Sequence, residues 1–202
     1  MTQDILALPH AASAVLMPCV DATNGECIAD TRRWLERAVI GLNLCPFAKS
    51  VYHKKQIRYA VTAARTADEL LAELAHEMEL LIRLDPKELD TTLLIHPLVM
   101  TDFRDYHFFL AETAAAVKNL GFDGILQIAS LHPAYEFTGT AADDIDNYTN
   151  RSPHPTLHIL REASIDRAVA AFPDAATIFD KNIETLRRLG HQGWQQLWLE
   201  KH

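Results

Sequence analysis

The order of apolar and polar residues along the chain predicts its elements before any chemistry is considered. From Asp30 onward Trp34, Leu35, Ala38, Val39 and Leu42 recur at helical spacing, and Asp30 or Thr31 can cap the start. Gly41, Asn43 and Pro46 stop that helix in an apolar turn over 41–48, which is expected to be buried. Residues 57–62 alternate as a half-exposed strand does, and 66–84 set Leu70, Leu71, Leu74, Met78, Leu81 and Ile82 along one face of a long helix. Residues 91–98 are an apolar run ending in His96 and Pro97, the mark of a strand covered on both sides. A helix over 102–120, closed by Gly121, and a third strand over 124–131, just ahead of His132 and Pro133, complete the pattern.

Strand, helix, strand, helix, strand with short connections signals a sheet built by crossovers. The expected fold is therefore α/β, with a small, mainly parallel sheet of at least three strands flanked by helices. Residues 133–151 are rich in Asp, Asn and Thr and lack periodicity, and so long a loop in a compact domain tends to carry function. Two more helices are expected over 153–171 and 175–189, followed by a tail whose Trp194, Leu197 and Trp198 pack back on the body. Residues 1–29 read as a poorly structured leader and 30–202 as a single domain.

Composition narrows the function classes. A chain of 202 residues, 49% hydrophobic, can bury a core without staples. A net charge of −8 with no cluster of Lys or Arg argues against nucleic-acid binding as the main role. Cys19, Cys27 and Cys45 form no Cys-x-x-Cys pair and no zinc-finger spacing, which fits a reduced, cytoplasmic setting. The apolar run from Ile5 to Val20 is interrupted by Pro9, His10 and Pro18 and has no Lys or Arg ahead of it, a poor match to a secretory signal or a membrane span. No Gly-x-Gly-x-x-Gly or Gly-x-x-x-x-Gly-Lys run occurs, so no nucleotide cofactor is expected. The chain also lacks His-Glu-x-x-His and Gly-x-Ser-x-Gly, the marks of familiar zinc proteases and serine hydrolases.

Candidate chemistry concentrates in Asn-Arg-Ser-Pro-His-Pro-Thr-Leu-His-Ile-Leu-Arg-Glu, residues 150–162. Read as a helix start, it has Ser152 as N-cap and Pro153 at the first helical position. Its free amide hydrogens, with Asn150, Arg151 and Arg161, would then hold an anion. His154, His158 and Glu162 recur every fourth residue and would share a helix face. Parallel strands deliver their ends to one edge, where ligands of open α/β folds bind. His96, His132, His158 and Glu162 are thereby expected to meet there as acid-base groups or as ligands of a zinc, iron or manganese ion. The expected protein is a small-molecule enzyme of hydrolase or lyase type acting on an anionic substrate. The alternative is a non-catalytic anion-binding module.

For single residues, plainer readings stand beside these. A strand-end histidine is often a hydrogen-bonded core residue, His154 suits a solvated helix face, and Arg151 and Arg161 suit surface ion pairs. Asp143, Asp144 and Asp146 lack the glycine and terminal glutamate of a calcium loop. Cys45-Pro-Phe-Ala resembles the active-site turn of thiol transferases of the thioredoxin fold. A helix precedes it here, however, where those proteins have a strand, so the better reading of Cys45 is an inert, buried thiol and the lesser one a nucleophile.

The segments Gly-Leu-Asn-Leu-Cys-Pro-Phe-Ala at 41–48, Asn-Arg-Ser-Pro-His-Pro-Thr-Leu-His-Ile-Leu-Arg-Glu at 150–162 and His-Pro-Ala-Tyr-Glu-Phe at 132–137 together resemble a bacterial family known only as a domain of unknown function. The resemblance covers most of the chain from about Asp30. It implies a cytoplasmic bacterial protein and brings no activity, cofactor or catalytic residue with it.

Overall fold

The computed structural model describes residues 23–171 and 177–198. Helix α1 (Asn24–Trp34) starts well ahead of Asp30, because Thr23 and Glu26 close a reciprocal cap: each side chain accepts the other's backbone N–H. The boundary expected at residue 29 thus falls inside a helix, and residues 1–22 of the expected leader lie outside the described residues. Over Leu35–Ile40 the helix widens to π geometry, with the Gly41 N–H reaching the Glu36 carbonyl at 3.0 Å and that of Leu44 reaching Val39 at 2.9 Å. It ends where the sequence indicates, at Asn43, whose φ of 56° is one that asparagine tolerates. The turn then enters the short α2 (Ala48–His53).

Strands β1 (Ile57–Val61), β2 (Thr91–Ile95), β3 (Leu126–Leu131) and β4 (Thr156–Arg161) form one sheet in the order β1-β2-β4-β3. Helix α3 (Ala67–Arg83) links β1 to β2 and α4 (Phe103–Asn119) links β2 to β3. β1 lies parallel to β2, whereas β4 runs antiparallel to both β2 and β3. The α/β expectation holds, but the sheet is mixed and not mainly parallel. Strands β1, β2 and β3 share one direction, and the difference is β4, seated in the slot between β2 and β3.

The helix expected over 153–171 is therefore a strand followed by α5 (Glu162–Ala170). The origin of the error is the spacing: four residues are one helical repeat, but they are also two strand repeats, so His154 and His158 share a face either way. Tertiary context decides between the two. All of β2 is buried, its backbone groups need partners on both sides, and β4 supplies them on the side away from β1. β4 also contributes Leu157 and Ile159, both 0% exposed, to the core.

On one side of the sheet, Leu94, Leu126, Leu157 and Ile159 pack against Leu70, Leu74, Met78 and Leu81 of α3 and Tyr106 and Phe109 of α4. Arg58 of β1 ties α3 down through both oxygens of the buried Glu77. On the other side, Leu93 and Leu131 meet Trp34, Leu35, Ala38 and Val39 of the first helix and Leu186 and Trp194 of α6 (Ile178–Gln196). Ala175, the expected start of the last helix, lies outside the described residues. The helix runs past Leu189, through a break at Gly190 (φ 63°), to Gln196. The residues expected as a tail are largely its continuation, and Trp194 and Trp198 do pack on the body. The 133–151 loop is fastened beneath α6: Arg187 makes paired bonds to the two carboxylate oxygens of Asp146 at 3.0 and 2.7 Å.

Because Leu157 is sealed between the sheet and its helices, Leu157→Ala should cost about 3 kcal/mol of unfolding free energy by urea denaturation. A loss under about 1 kcal/mol would contradict a central position for β4.

Candidate functional site

The strand ends do bring His96 and His132 together, around a tyrosine. The Tyr106 ring centroid lies 5.6 Å from that of His96 and 5.2 Å from that of His132. Its hydroxyl donates to the Thr156 carbonyl at 2.9 Å and accepts the Leu131 N–H at 3.1 Å. His96 donates from Nδ1 to the Val99 carbonyl, 2.9 Å away. His132 accepts the Ala134 N–H at Nδ1, so its proton sits on Nε2 and goes to the Met100 carbonyl at 3.2 Å. The two rings are 0% and 1% exposed, and burial pushes each down to about 4, with the nearby carbonyls opposing it. This cluster joins the ends of β2, β3 and β4 to α4.

His158 lies across the sheet from that cluster. Its strand partners are Leu93 and Ala129, on the face that looks toward α1, whereas His96 and His132 pack on the α4 side. The expected group His96, His132, His158 and Glu162 therefore does not assemble, because β4 is a strand and interposes the sheet. Among the described residues no three His, Cys, Asp or Glu side chains come together as a metal site. Glu162 opens α5 with its backbone N–H on the Ile125 carbonyl. His154 is no solvated residue: it is 2% exposed, with Nε2 3.5 Å from an Asp30 carboxylate oxygen, and burial holds its pKa down.

The helix N-terminus expected at Ser152 does not exist either, and the residues assigned to it serve the backbone. The Ser152 hydroxyl bonds the His154 carbonyl, and the Asn150 amide bonds that of Ser130. Arg151 donates to the carbonyls of Tyr135 and Ala142 and stacks over Tyr148 at 4.3 Å. Arg161 gathers the carbonyls of Leu81, Leu84 and Leu89 at the end of α3.

What the fold creates instead is a cavity of about 730 Å³ on the α1 side of the sheet, within the range of small-molecule sites. Trp34, Leu35, Val39, Leu44 and the Cys45–Ala48 turn line it from above; Thr91, Leu93, Gln127, Ala129, Leu131 and His158 form its floor; α5 closes one side. Cys45, distant in sequence from His158 and Arg161, thus borders one space with them. The Cys45 sulfur takes N–H contacts from Phe47 and Ala48, but burial outweighs them and raises the thiol pKa.

His158 is the best-defined group in the cavity. The Thr91 hydroxyl lies 2.6 Å from the Ile159 carbonyl, a contact in which only the hydroxyl can donate. It must therefore accept from His158 Nε2, 2.7 Å away, which fixes the proton on Nε2 and leaves Nδ1 as an acceptor. Burial holds the ring down to about 4, so it is neutral at pH 7. Thr91, which positions the ring, carries no signal in the sequence, since a strand threonine is ordinary.

A family model described as a protein of unknown function, DUF1415, matches residues 26–196. The chain belongs to this family. The match runs from the first turn of α1 to the last residue of α6, and it bears out the resemblance to a domain of unknown function. No curated protein and no solved structure matches this DUF1415 chain. Among its described residues no helix is long and apolar enough to cross a membrane.

His96, His132 and His158 all titrate lower in the folded chain, at about 4, than at the ordinary value of 6.5. The unfolded chain then binds more protons between these values. Stability is full above pH 6.5 and falls as the pH drops toward 4, by about 3 kcal/mol per ring at the lower limit. Urea unfolding at pH 7 and pH 5 should show this loss, and His96→Leu should reduce its slope. A stability that stays flat from pH 7 to 5 would contradict neutral, buried rings.

Proposed function

We propose that this DUF1415 protein is a small-molecule enzyme of acid-base type, with His158 as proton acceptor and an anionic substrate held in the cavity. The observation that carries the proposal is the Thr91 hydroxyl fixed on the Ile159 carbonyl, which leaves His158 Nδ1 as a neutral acceptor in a space of about 730 Å³. Taking a proton there creates a buried imidazolium beside no carboxylate of its own hydrogen-bond network. A negative charge on the substrate would supply the missing counter-charge and raise the ring into a useful range. Charge favours such a substrate: Lys54, Arg161 and Arg167 border the cavity against the single acid Asp90, in a chain of net charge −8. A base of this kind serves a lyase, by removing a proton from carbon, or a hydrolase, by activating water. A bacterial, cytoplasmic setting belongs to the same proposal.

A non-catalytic anion-binding role uses the same cations without the base, and one substitution separates the two. In a turnover screen of small carboxylates and phosphate esters, His158→Gln should lose at least about a hundredfold in rate on any substrate found, with the fold intact. Undiminished turnover in that variant would end the catalytic role of His158. In parallel, nitrogen NMR of the imidazole should show the proton on Nε2 at pH 7. A proton on Nδ1, or a charged ring, would remove the acceptor.

A further inference from the structure

We infer that the cavity takes an amphiphilic anion: a molecule with an apolar body and a single carboxylate or phosphate head. This rests on the cavity being the site, as proposed above, and adds the class of molecule that fits it.

The walls dictate the body. Pro46, Phe47, Val51, Ile57, Leu160 and Ile165, all partly exposed, line the cavity, so a ligand in it exchanges water for hydrocarbon. A small, wholly polar anion would leave this surface uncovered.

The rim dictates the head. Lys54 and Arg167 are exposed residues of the lining, and the one acidic residue beside them, Asp90, accepts the Ser164 hydroxyl. Arg167 also reaches Ser164, at 2.9 Å, with one nitrogen of its guanidinium. An anionic head here meets these two exposed cations in the space it shares with His158, while its apolar body covers the apolar lining. The lone acid and the two bases discriminate against a cationic head of the same length.

The test is titration calorimetry on the full chain with decanoate, decyl phosphate, decanol and decylamine, each below its micelle concentration. Both anions should bind and should protect Cys45 from alkylation by iodoacetamide, read by peptide mass mapping. Decanol and decylamine should bind more weakly. The relative affinities of carboxylate and phosphate then identify the head. Lys54→Ala with Arg167→Ala, both at exposed positions, should weaken the anions roughly tenfold and leave decanol unchanged. Equal binding of decanol and decanoate, or anion binding that leaves Cys45 unprotected, would overturn the inference. His158→Gln keeps the two proposals apart: it should retain decanoate affinity even if it abolishes turnover. Failure of every amphiphile to bind, beside a small polar substrate that is turned over, would sink this inference and spare the catalytic one.

Discussion

Strand β4 pairs along its length with β2 on one side and β3 on the other, and the placement of nearly every candidate residue follows from that double pairing. It satisfies the backbone of the buried β2 and of the edge strand β3 at once and sends alternate side chains to opposite faces. Leu157 and Ile159 enter the core beneath α3 and α4, while Thr156 and His158 turn toward α1. Withdrawing β4 would leave a hole in the middle of the sheet and remove His158 from the cavity. Fold and site therefore share one cause.

The histidines of this chain show how far environment outweighs residue type. His96 and His132 sit at strand ends, the position that usually marks a ligand-binding edge, yet His96 Nδ1 and both ring nitrogens of His132 are held by nearby backbone groups, and both rings pack on Tyr106. They act as hydrogen-bonded wedges. His158 occupies the middle of a strand, an unpromising position, but only one of its nitrogens is engaged, and it borders open space. Three arginines divide in the same way. Arg151 and Arg161 are spent on backbone carbonyls, whereas Arg167 stays at the surface of the cavity.

Much of the fold could be read from periodicity. The helices ending near Arg83 and Asn119 and the strands near residues 57, 91 and 126 stand close to where the apolar pattern puts them, because local burial and local geometry agree there. The pattern failed at 153–162, where a repeat of four residues suits both periods and the choice rests on contacts with distant strands. It also missed the Thr23 cap, which lies ahead of the apolar spacing it protects. The site was legible only in fragments. His158 and Cys45 could be named from their types, but a cavity is a relation among α1, α2, α5 and the sheet, and no spacing along the chain records it. Lys54 and Thr91 matter only because of that relation.

The most direct test of this account is a nuclear Overhauser map of residues 152–162 in the intact protein. Strand pairing predicts that the backbone of His158 shows contacts to Leu93 and to Ala129 at the same time, with strong sequential contacts from Thr156 to Arg161. A ladder of contacts between residues three apart, with neither cross-strand partner, would mean a helix here and would remove both the central strand and the position of His158 in the cavity.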